Sequence, residues 1–314
     1  MSLLFTTGAL AAGAGPGEFS DSVEPSAIHP LLFCLLLFLG CTVIGFFATL
    51  GGVGGGVIFT PLFMGFTPID SYIIRTTGLF VAMAGTLVAT RPFLYKGIAN
   101  IRLLLFAAVP YTLFAVVGAL LAGYIDQTMG AEGEAFIRGA LGVVILVVGV
   151  LFIIFGGRTD YPDVTGERRP GSVRLSVPYW EDSLSEMVRY RLRRRLPGLV
   201  LFGVIGLISG LLGIGAGGAL VPVFNLVMLA PLKVAATCST VMISLGGTAA
   251  VWPYILGGGM FPLVAVPCML GILVGARTGA RVMLRVRAGF VRWIIIALMI
   301  AAGIRLIVQA FEML

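Results

Sequence analysis

Residues 45–64 read GFFATLGGVGGGVIFTPLFM, and residues 206–225 read GLISGLLGIGAGGALVPVFN. One offset of 161 residues lays Gly52 on Gly213, Gly54 on Gly215, Gly56 on Gly217 and Pro61 on Pro222, and carried further without a gap it lays Thr76 on Thr237. The chain is therefore two halves of one design, and that repeat constrains the rest of the reading. The halves span 31–156 and 198–314, joined by a hydrophilic connector over 157–197 and preceded by a tail over 1–30.

The surrounding sequence is apolar on a scale that a water-soluble domain does not reach. Hydrophobic residues make up 59% of the 314, charged residues only 11%, against about 25% charged in ordinary soluble domains. The mean hydropathy is +1.07. The stretches from Leu31 to Leu50 and from Leu103 to Ala122 carry no charge. About 20 such residues cross ~30 Å of hydrocarbon as a helix, which satisfies every backbone amide internally. The short alternating segments of a β-barrel are missing.

Four apolar stretches fall in each half, over 31–66, 70–90, 102–123 and 136–156, then 198–230, 233–255, 260–283 and 289–311. The first stretch of each half is too long for one span and is interrupted by the glycine cluster. It predicts a helical hairpin or a helix followed by a half-helix. The expected fold is thus an all-α integral membrane protein of two inverted-topology repeats, five plus five segments, each a glycine-broken hairpin plus three transmembrane helices. An odd number per half is what inversion requires. Charge supports this parity. It puts Arg91, Lys96, Arg102, the connector, Lys233 and the run Arg277, Arg281, Arg285, Arg287 and Arg292 on one side, which then holds 18 of the 21 Lys and Arg residues. Glu18, Asp21, Glu24, Asp70, Asp126, Glu132, Glu134 and Glu312 fall on the other. A plain eight-helix count strands the Arg277–Arg292 run outside, against the positive-inside rule. Both termini are expected outside.

The net charge of +7 is accordingly an orientation signal rather than a nucleic-acid footprint. The tail has no basic segment ahead of an apolar run, which argues against a cleaved signal peptide. In the connector, Leu184, Met187, Arg191 and Arg195 stand at roughly helical spacing, which predicts a basic amphipathic helix on the inner face, or else a solvated run of charge. Cys34, Cys41, Cys238 and Cys268 all sit in apolar segments and read as small buried hydrophobes. No CxxC pair or Cys/His cluster calls for a metal or other cofactor.

Chemistry centres on the glycines. Five of the six residues 51–56 are glycine, followed by a helix-compatible run that contains Thr60 and Pro61. Glycines there allow close helix packing or an unwound break. A break exposes backbone amides at the amino end of a half-helix, an end with partial positive charge that suits an anion. Its recurrence in both halves favours the second use and places two such ends near mid-membrane. Gly54, Gly55, Gly56, Gly215 and Gly217 are the expected amide donors, with Gly52, Pro61, Gly213 and Pro222 as structural members of the motif. Downstream stand Arg75, Thr76 and Thr77 in one half and Thr237, Cys238 and Ser239 in the other, with Asn225 on the second half-helix. Hydroxyls donate to an oxyanion without the desolvation cost of a full charge, although Ser and Thr also bond back to helix carbonyls. Arg75 either holds an anion or snorkels to the outer surface.

The paired glycine–proline motifs and the ATCST stretch at 236–240 make the chain resemble the TauE/SafE family of sulfite and organosulfonate exporters, over nearly the whole membrane portion. The resemblance implies a bacterial inner-membrane exporter of sulfite, sulfoacetate or related C2 sulfonates. The connector is longer than in compact members of that family. The residues agree with such a role. No Asp or Glu lies deep in an apolar segment, which leaves a carboxylate proton relay without a candidate. An anion leaving a cell negative inside gains about 2.3 kcal/mol per charge per 100 mV, a bias of roughly fifty-fold. Uniport then suffices. An anion channel would use the same breaks. The only histidine, His29, precedes the first helix, which argues against intramembrane histidine-based protease or haem chemistry.

Overall fold

The computed structural model describes residues 30–50, 54–67, 69–95, 100–155, 179–181, 186–188, 190, 192, 194–215, 217–283 and 288–313. The expected tail up to His29, Gly52, the connector over 156–178, and Lys96, Arg285 and Arg287 lie outside them. The first half folds as α1 (Pro30–Leu50), the short α2 (Gly55–Phe66), α3 (Ser71–Tyr95) and α4 (Ile101–Phe155). Gly130, with φ 50° and ψ −125°, kinks α4 into two arms. The second half gives α5 (Arg195–Leu212), α6 (Gly217–Pro222) running on as a π-helix over Val223–Val227, α7 (Leu232–Leu256), α8 (Pro262–Met283) and α9 (Ala288–Met313). Among the described residues, eight helices are long and apolar enough to cross a membrane, and two apolar helices are shorter, Gly55–Phe66 and Gly217–Val227. Both long first stretches are therefore a full helix followed by a half-helix. Helices α3 and α7 keep the offset of 161 at both ends.

Local signals set the boundaries. Asp70 Oδ1 accepts from the amides of Tyr72 at 2.8 Å and Ile73 at 3.2 Å, capping α3. Asn100 Oδ1 does the same for Arg102 and Leu103 at the start of α4, both at 3.2 Å. Pro231 and Pro262 open α7 and α8, where a missing N–H costs nothing.

The halves interlock through backbone contact at small residues. A Cβ on Gly45 would sit 2.9 Å from the Ile272 carbonyl oxygen, and one on Gly206 would collide with the carbonyl of Tyr111. Those two pairs are equivalent under the offset. So are Gly118 against Leu207 and Gly279 against Phe46. Helix α1 thus packs on α8 just as α5 packs on the first arm of α4, each helix of one half seated on the other half. Helices α3 and α7 run antiparallel, with Tyr72 against Tyr254 and Gly257, and Met83 against Gly247. One end of the bundle gathers the end of α2, the start of α3, the kink of α4 and the ends of α7 and α9. Cys34 at the start of α1 meets Leu263 at the start of α8, a helix that opens just past the end of α7. The opposite end holds Asn100 with Tyr190, Cys238, and Gly198 against Met228. Leu31, Leu35, Leu39, Leu105, Val109 and Leu113 face outward, as lipid-facing residues do.

The expected amphipathic helix over the connector's end is corrected. Tyr179–Glu181 (β1) pairs antiparallel with Glu186–Val188 (β2), Trp180 facing Met187. Beyond it, Tyr190 and Leu192 are both buried, at 5% exposure, against the start of α4 and the end of α6. Leu184 and Arg191 lie outside the described residues. Helix begins only at Arg195.

Candidate functional site

Both glycine breaks need backbone that an ordinary residue resists. Gly54 precedes α2 with φ 80°, Gly213 ends α5 with φ 68°, and Gly215 follows with φ 69°. A side chain in that region costs roughly 1–2 kcal/mol. The two breaks cross. A Cβ on Gly56 would lie 2.7 Å from the Ile214 carbonyl oxygen and 2.9 Å from that of Gly78. One on Gly215 would lie 2.5 Å from Ala82 Cβ and 3.4 Å from Ile243, while Gly54 meets Ile243 and Thr86 at 3.6 and 3.8 Å. Ala82 on α3 and Ile243 on α7 are themselves equivalent under the offset, so the centre of the repeat relation and the crossing coincide. The first-turn amides of α2 and α6 have no carbonyl partner within their helices and concentrate positive potential there.

Several carbonyls at and just before the second break, by contrast, accept side-chain hydroxyls. Thr60 donates to Gly213 at 2.8 Å, Tyr111 to Gly215 at 3.4 Å, and Tyr254 to Gly210 and Leu211 at 2.8 and 3.1 Å. Tyr111 also meets the Ser209 hydroxyl at 3.3 Å. Tyr111, Ser209 and Tyr254 escape a reading of the sequence. Their only signal is a polar residue in an uncharged run, and the break they serve is far away in the chain.

The downstream polar residues are not brought together. Thr76 and Thr237 each stand six residues from the Ala82–Ile243 level on antiparallel helices, which separates them by roughly 18 Å along the bundle. Thr76 bonds to Tyr72 O at 2.8 Å, Thr237 to Val234 O at 3.1 Å and Ser239 to Ala236 O at 2.9 Å. Cys238 Sγ lies 4.0 Å from Asn100 O. Asn225 Nδ2 donates to Ala230 O at 2.9 Å and so closes the turn after its own half-helix. Thr77 is buried and its hydroxyl lacks a partner; it stands one turn from Val81, which abuts Gly55. Pro61 lies inside α2, and Pro222 marks the passage from α6 into the π-helix. Arg75 does not snorkel. It is fully buried at the gathered end, with Nη2 3.2 Å from Asp126 Oδ1.

Interlocked helical halves, lipid-facing apolar surfaces and two broken helices crossing at the centre define a multi-pass membrane protein of the transporter class. The model of the family described as sulfite exporter TauE/SafE matches residues 5–306, and the chain belongs to that family. It is also similar to a protein of Bacillus subtilis (strain 168) named "Probable membrane transporter protein YunE", 22% identical over 283 residues, 88% of this chain and 98% of that one. No solved structure gives a significant match.

Proposed function

We propose that this membrane transporter exports small sulfur-containing anions, sulfite, sulfoacetate or related C2 sulfonates, from the bacterial cytoplasm across the inner membrane by alternating access. The observation that carries this reading is the crossing of the two breaks, which aims two half-helix amino ends at one central locus. Amides at such ends suit an oxyanion. The hydroxyl-capped carbonyls of the second break point the same way, because bare carbonyls are what a sodium ion would need. Among the described residues, the acidic side chains of the long helices stand near the gathered end, at Asp126, Glu132, Glu134 and Glu312. Potential-driven uniport therefore requires no relay carboxylate at the crossing.

The inverted-topology reading is supported by the opposite directions of α3 and α7 and by the reciprocal packing of α1 with α8 and α5 with α4. Placing the Arg75 end outside, the low-arginine side, puts both chain termini outside as well. The closed crossing, with Gly56 against Ile214, favours a carrier over an open channel.

The test is flux of labelled sulfite, sulfoacetate and taurine into proteoliposomes, with the potential set by a potassium gradient. Saturable, potential-driven uptake with counterflow is expected for at least one of them. Flux that needs an imposed proton or sodium gradient and ignores potential sinks the uniport reading, and flux that never saturates replaces the carrier with a pore.

A further inference from the structure

Two arginines are buried near the gathered end, and only one is satisfied. Arg138, at 9% exposure, has a partner on every guanidinium nitrogen: Nε and Nη2 both donate to Glu134 Oε1, at 2.9 and 2.7 Å, and Nη1 donates to Met64 O at 3.1 Å and to Gln309 Oε1 at 2.9 Å. Arg75, at 0% exposure, makes one bond from Nε to Ser71 O and one from Nη2 to Asp126 Oδ1, both at 3.2 Å, while its Nη1 has no partner. The Tyr72 ring, 5.3 Å from Cζ, gives a cation–π contact, and the Tyr254 hydroxyl, which donates to Gly210 O and Leu211 O, stands close to the guanidinium without completing a hydrogen bond to Nη1. A buried cation left short of acceptors is costly. Its one carboxylate is 40% exposed and held at a longer distance than the 2.7–2.9 Å usual for charged pairs. The Nη1–Nη2 edge of the guanidinium, on which Asp126 holds Nη2 and nothing holds Nη1, fits an anion with two oxygens on one face, such as a carboxylate, sulfite or sulfonate. Arg75 is also one step from the crossing, because a Cβ on Gly213 would lie 2.5 Å from the Arg75 carbonyl oxygen.

We infer that Arg75 is the exit site of the transported oxyanion and that Asp126 is its tethered competitor, a carboxylate that takes the guanidinium as the anion departs and so hastens release. The inference rests on the anion-transport reading above and assigns a second locus to it. Asp126 approaches from the first arm of α4, four residues before the kink at Gly130, the only residue in α4 with non-helical backbone.

The experiment is equilibrium binding of radiolabelled sulfite to purified protein in detergent, paired with proteoliposome flux, for wild type, Asp126→Asn and Arg75→Lys. Asp126→Asn removes the competing charge and is expected to tighten sulfite binding about tenfold while lowering the maximal flux. Arg75→Lys keeps the charge and loses the planar fork, so binding weakens about tenfold with the melting temperature nearly unchanged. Arg75→Lys also stands in should Asp126→Asn fail to fold. Unchanged affinity in either folded variant, with or without a lower melting temperature, makes the pair structural and overturns the inference while wild-type flux leaves the transport reading intact. Absence of sulfur-oxyanion binding and flux in the wild type overturns both.

Discussion

The two half-helices carry the same motif and are anchored at opposite ends. Helix α2 is regular to Phe66, and its carboxyl end is clamped: Arg138 donates to Met64 O, and Arg305 and Gln309 donate to Gly65 O. At its amino end Gly55 meets Ile272 Cδ1 and Val81 Cγ1, while Gly56 abuts the carbonyl oxygens of Ile214 and Gly78. Helix α6 is the reverse. The carbonyls ahead of it are tied by Thr60, Tyr111 and Tyr254, whereas its far end relaxes into a π-helix held by Asn225 to Ala230 and Met228 to Val223. Ile272 and Tyr111 occupy equivalent places, each beside a glycine of the first and second break. A duplicated element therefore keeps its backbone device while its fastening diverges.

Six substitutions break or sharpen this contrast. The largest effect is expected at Gly210, where a Cβ runs into the Ala115 carbonyl; Gly210→Ala should cost about 3 kcal/mol and deplete monodisperse protein in detergent. The equivalent position in the first half is Thr49, whose hydroxyl already bonds Gly45 O, and Thr49→Ala should be nearly neutral in the same assay. Arg138→Ala removes the clamp on α2 and strands Glu134, at about 2 kcal/mol of thermal stability, against about 1 kcal/mol for Asn225→Ala. Equal losses at the two ends would erase the anchoring difference.

Gly56→Ala pushes a methyl between two backbone carbonyls at the crossing, and flux should fall about tenfold, roughly 1.4 kcal/mol, in protein that still folds. Unchanged flux would detach transport from the crossing. A small effect is expected of Tyr111→Phe, which frees the Gly215 carbonyl at about 0.6–1 kcal/mol. If the open carbonyl then supports sodium-stimulated flux, the capping hydroxyl is what keeps the break selective for anions.

Much of the fold was legible because lipid leaves few options. Apolar runs of about 20 residues must be helices, and glycines that interrupt them at one offset must do so twice. The start of α3, both ends of α7 to within a residue and the break at Gly54 follow from those two facts, whereas α3 runs to Tyr95, past the expected end at 90. In the connector, Leu184 and Met187 fit a helical period in the sequence, but Met187 lies in a strand paired with Tyr179–Glu181, and strand pairing is not visible in side-chain spacing. At the site, the glycines are visible in the sequence, but the partners of the hydroxyls are not. Thr76, Thr237 and Ser239 bond their own helices, and the hydroxyls that meet the second break come from Thr60, Tyr111 and Tyr254.

By itself, then, the sequence determined what periodicity and solvent dictate locally: which segments are helical, where they break, and that the halves match. Tertiary structure alone decided which half-helix is fixed at which end, that Arg75 faces Asp126 across 51 residues, and that every guanidinium nitrogen of Arg138 has a partner while Nη1 of Arg75 has none. The reason is physical. A helix boundary is set by the few residues around it, whereas a side chain's partner inside a bundle is set by helix directions and crossing contacts that only the packed halves establish.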